Sequence, residues 1–146
     1  MPEEAPASVL FACTLNRTRS PMAAALMRQM FGDRIHVDSC GIKADAGFDP
    51  FMIHVLEEVG AKVAGHGPKR FEQLDDDSFD LVISLTPDAQ HRAAQVLRGR
   101  SVEIEYWPTY DPTDCEGSRE LVLEAYRLLR DYLQKRILER FAQPST

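Results

Sequence analysis

A chain of 146 residues, with 44% hydrophobic and 27% charged residues, is predicted to form one globular domain with enough apolar material for a core. Its net charge of −6 argues against a general nucleic-acid binder, so the positive charge of any phosphate site must be local. The sequence has neither a run of about 18 apolar residues nor a basic, apolar leader, so we expect no membrane segment and a cytoplasmic location.

The cysteines and histidines favour a reduced protein without metal or cofactor. The three cysteines, Cys13, Cys40 and Cys115, are odd in number, lie far apart and form no CxxC pair, which argues against a disulfide scaffold. The four histidines lack the spacing that is typical of zinc ligands. We therefore expect a reducing cytosol, no metal site and no cofactor.

Strands and helices are predicted to alternate along the chain. Short apolar runs predict strands at residues 8–13, 35–39, 79–85 and 102–107. Capping residues, three of them followed by proline, predict helix starts at Ser20-Pro21, Asp49-Pro50, Thr86-Pro87 and Ser118. This order predicts a single three-layer α/β domain over residues 8–141, a four-stranded parallel sheet with helices on both faces. Residues 1–7 and 142–146 are expected to be flexible tails.

The loop after the first predicted strand carries the strongest chemical signal, with the sequence Cys-Thr-Leu-Asn-Arg-Thr-Arg-Ser at residues 13–20. Arg19 lies at the mouth of a helix, where free N–H groups and the helix dipole attract anions. Its guanidinium matches two oxygens of a tetrahedral oxyanion, and the same positive field favours a Cys13 thiolate. A Cys-x5-Arg pattern alone is weak, because a cysteine at a strand end is usually a small buried hydrophobe. Its place in the first βα turn strengthens the signal, because open α/β folds bind ligands there.

This loop and several later segments resemble one known family. The loop resembles the low-molecular-weight protein tyrosine phosphatase family, which also contains thioredoxin-coupled arsenate reductases, through Val9-Leu10-Phe11-Ala12-Cys13-Thr14-x-Asn16-x-x-Arg19-Ser20-Pro21-Met22-Ala23. The resemblance continues over nearly the whole chain, at Val37-Asp38-Ser39 with Gly41, Gly65-His66, Phe79-Asp80-Leu81-Val82-Ile83 and Asp111-Pro112. It implies a phosphatase-type anion loop after the first strand.

The resemblance also implies catalytic roles for three residues. Cys13 would attack phosphorus and form a phosphocysteine, and Arg19 would stabilise the equatorial oxygens in the transition state. Asp111 would protonate the leaving oxygen and then act as the base for water. Asp111 before Pro112 is also ordinary turn chemistry, so the pattern at this position has two interpretations.

Other residues are implied to bind phosphate or to support the loop. Those predicted to bind phosphate are Thr14, Leu15, Asn16, Arg17, Thr18 and Ser20, with Ser20 also donating to the thiolate. Asn16, Ser39 and His66 resemble a network that holds the loop in shape. Each has a simpler interpretation: Asn16 as a turn former, Ser39 as a polar strand end and His66 as a solvated loop residue.

Four departures from the family pattern bear on the substrate. Leu15 replaces the glycine that is usual in the family, and Thr18 replaces a second cysteine. Arg17 occupies a position whose side chain often faces the aromatic ring of the substrate in the family. Thr113 and Asp114 stand where tyrosine phosphatases usually carry aromatic residues after Asp-Pro. The oxyanion machinery is therefore retained, whereas an aromatic wall for phosphotyrosine is not visible.

We expect a phosphomonoester hydrolase, in the first place a protein tyrosine phosphatase, acting on a phosphorylated protein or a small phosphomonoester. Phosphate or other tetrahedral oxyanions should bind, and no nucleic-acid or membrane partner is expected. The alternatives are an arsenate reductase of the same fold and a non-catalytic oxyanion-binding regulatory module. Residues 84–90 contain no cysteine where such reductases carry their extra thiol pair, and a dead binder would not need Asp111.

Overall fold

The computed structural model describes residues 6–65, 67–74 and 78–142, in which four strands and four helices alternate along the chain. The strands are β1 (Ser8–Cys13), β2 (His36–Gly41), β3 (Leu81–Ser84) and β4 (Glu103–Tyr106). The helices are α1 (Arg19–Phe31), α2 (Pro50–Glu57), α3 (Pro87–Val96) and α4 (Arg119–Phe141), with short 3₁₀ turns at Phe71–Gln73 and Pro112–Asp114. The predicted alternation is confirmed, and the strand limits differ from the predicted ones by two residues or fewer.

The strands form one parallel sheet in the order β2-β1-β3-β4. The chain moves from β1 to one side and then returns across it to β3, so the strand order reverses beside β1. In open α/β sheets, ligands bind where this reversal separates the loops at the carboxyl ends of the strands. Cys13, the last residue of β1, is paired with Gly41 at this edge.

Alternating residues of β1 point into two separate cores. Val9, Phe11 and Cys13 belong to the larger core, which includes residues of α1, α2 and α4. Leu10 and Ala12 belong to the smaller core, which includes residues of α3. Helices therefore cover both faces, as predicted, and β1 is apolar throughout because both of its faces are buried.

Helix starts follow the predicted capping chemistry at three of the four positions. The side chain of the capping residue accepts a hydrogen bond from the first helical turn at Asp49, Thr86 and Ser118. The prediction for Ser20 was wrong, because α1 begins at Arg19 and Thr18 occupies the capping position without a side-chain cap bond. The Ser20 hydroxyl lies 2.9 Å from the sulfur of Cys13 instead.

The ends of the domain are described only in part. The Ala7 N–H donates to Asp80 Oδ2 at 2.7 Å, and the Ala7 carbonyl accepts from His36 N at 2.9 Å, so residue 7 is anchored to the sheet. The rest of the predicted tails lies largely outside the described residues, at 1–5 and 143–146. None of the described helices is long and apolar enough to cross a membrane.

Candidate active site

Cys13 lies at the base of a cleft between the loop after β1 and the loop before α4. The cleft has a volume of about 320 Å³ and is lined by Cys13, Thr14, Leu15, Arg17, Thr18, Arg19, Asp111 and Thr113. Tertiary structure therefore brings the three residues predicted to be catalytic to one cavity, although Asp111 lies far from the others in the sequence. Cys13 is 3% exposed, and it forms part of the wall of this cleft.

The sulfur of Cys13 has two polar neighbours that can stabilise a thiolate. Ser20 Oγ lies 2.9 Å from Sγ, and the Asn16 backbone N–H donates to Sγ at 3.3 Å. The Ser20 hydroxyl also lies 3.2 Å from the carbonyl oxygen of Cys40. Because a hydroxyl has one proton, Ser20 can donate to a Cys13 thiolate or, when Cys13 is a thiol, to the carbonyl of Cys40.

The side chain of Asn16 lies behind the loop and does not line the cleft. Its side-chain amide donates to Ser20 Oγ at 2.8 Å and to Ser39 Oγ at 2.9 Å, and its Oδ1 accepts from Lys69 N at 2.9 Å. Its φ of 52° lies in the left-handed region, which asparagine tolerates better than most residues. The side chains of Asn16 and Ser20 are buried and hydrogen-bond each other behind the loop, and phosphate binding by these two residues stays a prediction.

The network behind the loop includes three residues that sequence reasoning did not assign to the site, namely Lys69, Asp38 and Gly41. The Lys69 backbone bonds both Asn16 and the amide of Gly41, and its ammonium pairs with Asp38 Oδ2 at 2.7 Å. A Cβ at Gly41 would lie 2.7 Å from Asn16 N, so only glycine allows β2 to pass this close to the loop. The available sequence signal for Gly41 was its place in the family resemblance, at the end of the second predicted strand. His66 lies outside the described residues, so its supporting role stays a prediction.

Backbone N–H groups around the loop are available to bind an anion. Within the described part of the chain, no hydrogen-bond partner is found for the amides of Leu15, Arg17, Thr18 and Arg19. These amides lie at the N-terminus of a 13-residue helix, where the dipole also favours negative charge. The loop can thus coordinate the equatorial oxygens of a tetrahedral anion above the sulfur of Cys13.

Arg19 and Asp111 face each other across the cleft. Arg19 Nη1 donates to the carbonyl oxygen of Thr109 at 3.1 Å, and its Nη2 lies 3.8 Å from Asp111 Oδ2. Asp111 Oδ1 accepts from both the backbone N–H and the hydroxyl of Thr113, at 3.0 and 2.7 Å. These two bonds fix the carboxyl group and leave Oδ2 directed toward the guanidinium of Arg19. The hydroxyl of Thr113 is a contact that sequence reasoning missed.

Comparison with known proteins places this geometry in a family. The sequence-family model of the low molecular weight phosphotyrosine protein phosphatases matches residues 8–139 of the chain. The chain belongs to this family. Its resemblance in fold and sequence is therefore confirmed, and with it the class of cysteine-dependent enzymes that includes arsenate reductases.

Relatives of the chain include arsenate reductases. It is 31% identical over 139 residues to the arsenate reductase of Bacillus licheniformis, covering 93% of this chain and 95% of the relative. It is 30% identical over 130 residues to the glutaredoxin arsenate reductase of Synechocystis, covering 88% and 92%. The solved structure of an arsenate reductase in the phosphate-binding state matches with a TM-score of 0.71 and 27% identity, covering 94% of this chain and 98% of that one.

The start of the loop after β1 also contacts the N-terminus of α3. Thr14 Oγ1 donates to Asp88 Oδ1 at 2.8 Å and lies 3.2 Å from Thr86 Oγ1. Burial disfavours the Asp88 carboxylate, but hydrogen bonds from Thr86 and Thr14 outweigh it and lower the pKa of Asp88. Asp88 therefore stays ionised at neutral pH and anchors the start of the loop to the N-terminus of α3.

The other two cysteines lie apart from this arrangement. Cys40 is fully buried in the smaller core, on the opposite face of the sheet from Cys13, and burial raises the pKa of its thiol. Cys115 follows the 3₁₀ turn after Asp111, and its sulfur lies 3.8 Å from the carbonyl oxygens of Glu116 and Leu121. All three cysteines are free thiols. Among the described residues, no group of three or more His, Cys, Asp or Glu side chains is arranged to hold a metal.

Proposed function

We propose that this chain is a cysteine-dependent phosphomonoester hydrolase, in the first place a protein tyrosine phosphatase, that works through a phosphocysteine intermediate. The observation that carries the proposal is the position of Asp111. Its Oδ2 reaches the same cleft as the Cys13 sulfur and lies 3.8 Å from Arg19. A nucleophile, an oxyanion site and a proton donor are therefore present together, which a module that only binds anions does not require.

The first chemical step forms a bond between sulfur and phosphorus. The Cys13 thiolate attacks phosphorus while the bond to the ester oxygen breaks and Asp111 gives that oxygen its proton. Arg19 and the loop amides bind the three equatorial oxygens, whose charge they stabilise in the transition state. In the second step, Asp111 takes a proton from water as the water attacks phosphorus. Phosphate leaves, and the Cys13 thiolate is restored with the Ser20 hydroxyl donating to it.

The cleft is expected to discriminate only weakly in favour of bare phosphotyrosine. Its described lining contains Leu15, Arg17 and Thr113 but no aromatic ring, so nothing in it stacks on a substrate phenyl group. Arg17, whose side chain is 35% exposed, adds positive charge at the rim. We propose that the partner is a cytoplasmic phosphorylated protein or small phosphomonoester that carries acidic groups near the phosphate.

Arsenate reduction is the second candidate, and the names of the relatives support it more directly than they support the phosphatase. Reducing arsenate to arsenite takes two electrons, which two thiols supply as they become a disulfide. Cys13 can supply one thiol, but Cys40 is buried in the other core, and residues 84–90 contain none. The Cys115 sulfur, near the carbonyl oxygens of Glu116 and Leu121, does not line the cleft, so we expect a reductase built on this chain to depend on an external thiol of the glutathione or glutaredoxin kind.

A paired assay on one preparation of the wild-type chain separates the two candidates. Hydrolysis of an aryl phosphate is measured alongside arsenate reduction with dithiothreitol, with glutathione and glutaredoxin, and with thioredoxin. We expect phosphate to be released without consumption of thiol, and we expect no efficient arsenate reduction with thioredoxin. Arsenate reduction with glutathione and glutaredoxin, together with no detectable hydrolysis, would replace the phosphatase proposal by the reductase.

Asp111→Asn is expected to slow poor leaving groups more than good ones. An amide cannot protonate the leaving oxygen, and this protonation matters most when that oxygen is strongly basic. For an unactivated phenyl phosphate we expect a fall in kcat of about a hundredfold, and for a nitrophenyl phosphate a much smaller one. The measurement is kcat across aryl phosphates of graded phenol pKa. Asp114→Asn, in the same turn but outside the cleft, is the matched control, and an equal slope in both variants would remove Asp111 from the acid role.

A mild peroxide pulse is expected to drive Cys13 to the sulfinic acid with little disulfide formation. Thr18 replaces the neighbouring loop cysteine of the family, and Cys40 is confined to the other core, so a resolving thiol is lacking beside the sulfur. Mass spectrometry of the peptide that contains Cys13 measures the product, with Cys115→Ser as the control. A dominant disulfide between Cys13 and Cys115 would contradict this expectation and revive a reductase that uses its own thiols.

A further inference from the structure

Asp49 is a buried carboxylate directly behind the oxyanion-binding loop. It is 2% exposed, and its Oδ1 accepts from the N–H of Phe51 at 2.9 Å as the cap of α2. Its Oδ2 accepts from the hydroxyls of Thr18 (2.8 Å) and Tyr126 (2.5 Å), and Arg17 Nη1 lies 4.0 Å away. Three elements, the loop, α2 and α4, therefore meet at one side chain.

The charge of Asp49 opposes the function of the loop in front of it. A negative charge close to a bound phosphate repels it, and burial of a carboxylate is costly unless its oxygens are hydrogen-bonded. Capping of α2 does not require that charge, because serine or asparagine caps a helix equally well. A charged residue at this position therefore needs a further reason, and its contacts with Arg17 and Thr18 supply one.

We propose that Asp49 is a positioning residue that fixes the peptide between Arg17 and Thr18, with its amide directed to the bound oxyanion. This inference deepens the proposed function, and its effect on turnover rests on that function. Its effect on phosphate binding does not.

The peptide plane between Arg17 and Thr18 transmits the effect. The Asp49 backbone N–H donates to the carbonyl oxygen of Arg17 at 3.0 Å, which holds that carbonyl on the side away from the cleft. In a trans peptide the N–H points opposite to the carbonyl, so the Thr18 N–H is turned toward the cleft. The carboxylate of Asp49 accepts a hydrogen bond from the Thr18 hydroxyl at the same time. Asp49 therefore anchors both residues of this peptide, which directly precedes Arg19.

Tyr126 keeps the carboxylate of Asp49 in place from α4. Burial first, and then the hydrogen bond to Asp49, raise the pKa of Tyr126 well above its usual value. Its hydroxyl therefore stays protonated at neutral pH and donates without interruption. The ring of Tyr126 packs against Phe51 with centroids 5.5 Å apart, which restricts its orientation. A hydroxyl at position 18 suits this cluster better than the family's cysteine, because a thiol is a weak donor.

The test removes one hydroxyl at a time and measures binding of inorganic phosphate by calorimetry together with kcat and KM for an aryl phosphate. Thr18→Val, which is nearly isosteric, is expected to weaken phosphate binding and lower kcat/KM by about tenfold each. Thr18→Ser restores the donor and is expected to stay within about twofold of wild type. Tyr126→Phe, which lies outside the cleft, is expected to lower both quantities by about threefold.

Asp49→Asn separates an effect of charge from an effect of positioning by the direction in which phosphate affinity changes. If the residue acted only through its charge, its neutralisation would tighten phosphate binding, whereas loss of positioning weakens it. We expect about tenfold weaker phosphate binding in this variant. Equal or tighter phosphate binding in Asp49→Asn, or wild-type binding in Thr18→Val, would overturn the inference. Thermal unfolding is recorded for each variant, and if Asp49→Asn does not fold, the comparison of Thr18→Val with Thr18→Ser decides.

Failure of the proposed function gives a different pattern. A wild-type chain that binds phosphate but hydrolyses no aryl phosphate removes the phosphatase proposal, and the phosphate affinities of the variants still decide the role of Asp49.

Discussion

Cys13→Ser is expected to lower the turnover of an aryl phosphate by at least about a thousandfold while phosphate still binds. The serine hydroxyl stays protonated near neutral pH, and a neutral hydroxyl is a far weaker nucleophile than a thiolate. The loop amides and Arg19, which hold the anion, are unchanged by the substitution. We expect phosphate affinity to be unchanged or slightly higher, because the serine hydroxyl carries no negative charge to repel the anion. The measurement is kcat with nitrophenyl phosphate, together with phosphate affinity by calorimetry.

Cys115→Ser is the matched control for this variant, because Cys115 is also a free thiol but does not line the cleft. It is expected to retain wild-type turnover. Full activity in Cys13→Ser would show that the sulfur is not the nucleophile. Loss of both turnover and phosphate binding, with normal unfolding, would show instead that the loop depends on the sulfur for its shape.

Arg19→Lys is expected to lower kcat by about a hundred- to a thousandfold. The guanidinium donates to the carbonyl oxygen of Thr109 and still presents Nη2 toward the cleft and Asp111, which one ammonium cannot do at once. A planar fork also matches two equatorial oxygens, and the match matters most when charge spreads over them in the transition state. The loss should therefore be larger in kcat than in phosphate affinity.

A control for Arg19→Lys is Arg92→Lys, which alters an ion pair with Glu72 that lies outside the cleft. This variant is expected to behave like wild type. An Arg19→Lys enzyme within about twofold of wild type would contradict the role of Arg19, whereas an equal loss in kcat and in phosphate affinity would restrict that role to ground-state binding.

Local sequence patterns were sufficient for the elements of this fold. The apolar run of β1 and the capping residues Asp49, Thr86 and Ser118 act on their nearest neighbours in the chain, so their effects can be predicted without a tertiary structure. The alternation of strands and helices then leaves few arrangements, because parallel strands require crossover helices that cover both faces. The loop from Cys13 to Arg19 could be predicted for the same reason, since its strand, turn and helix are contiguous.

Contacts between distant segments were decided by the tertiary structure alone. Asn16 accepts from the backbone of Lys69, and Asp49 accepts from both Thr18 and Tyr126, through pairs of residues that are 31 to 77 positions apart in the sequence. No local pattern specifies such a contact, because it depends on the order of the strands and on the faces against which α2 and α4 pack. The contact of Ser20 is local by comparison. Its Ser-Pro context predicted a helix cap, whereas the family resemblance implied a bond to the thiolate, and the hydroxyl lies 2.9 Å from the sulfur of Cys13.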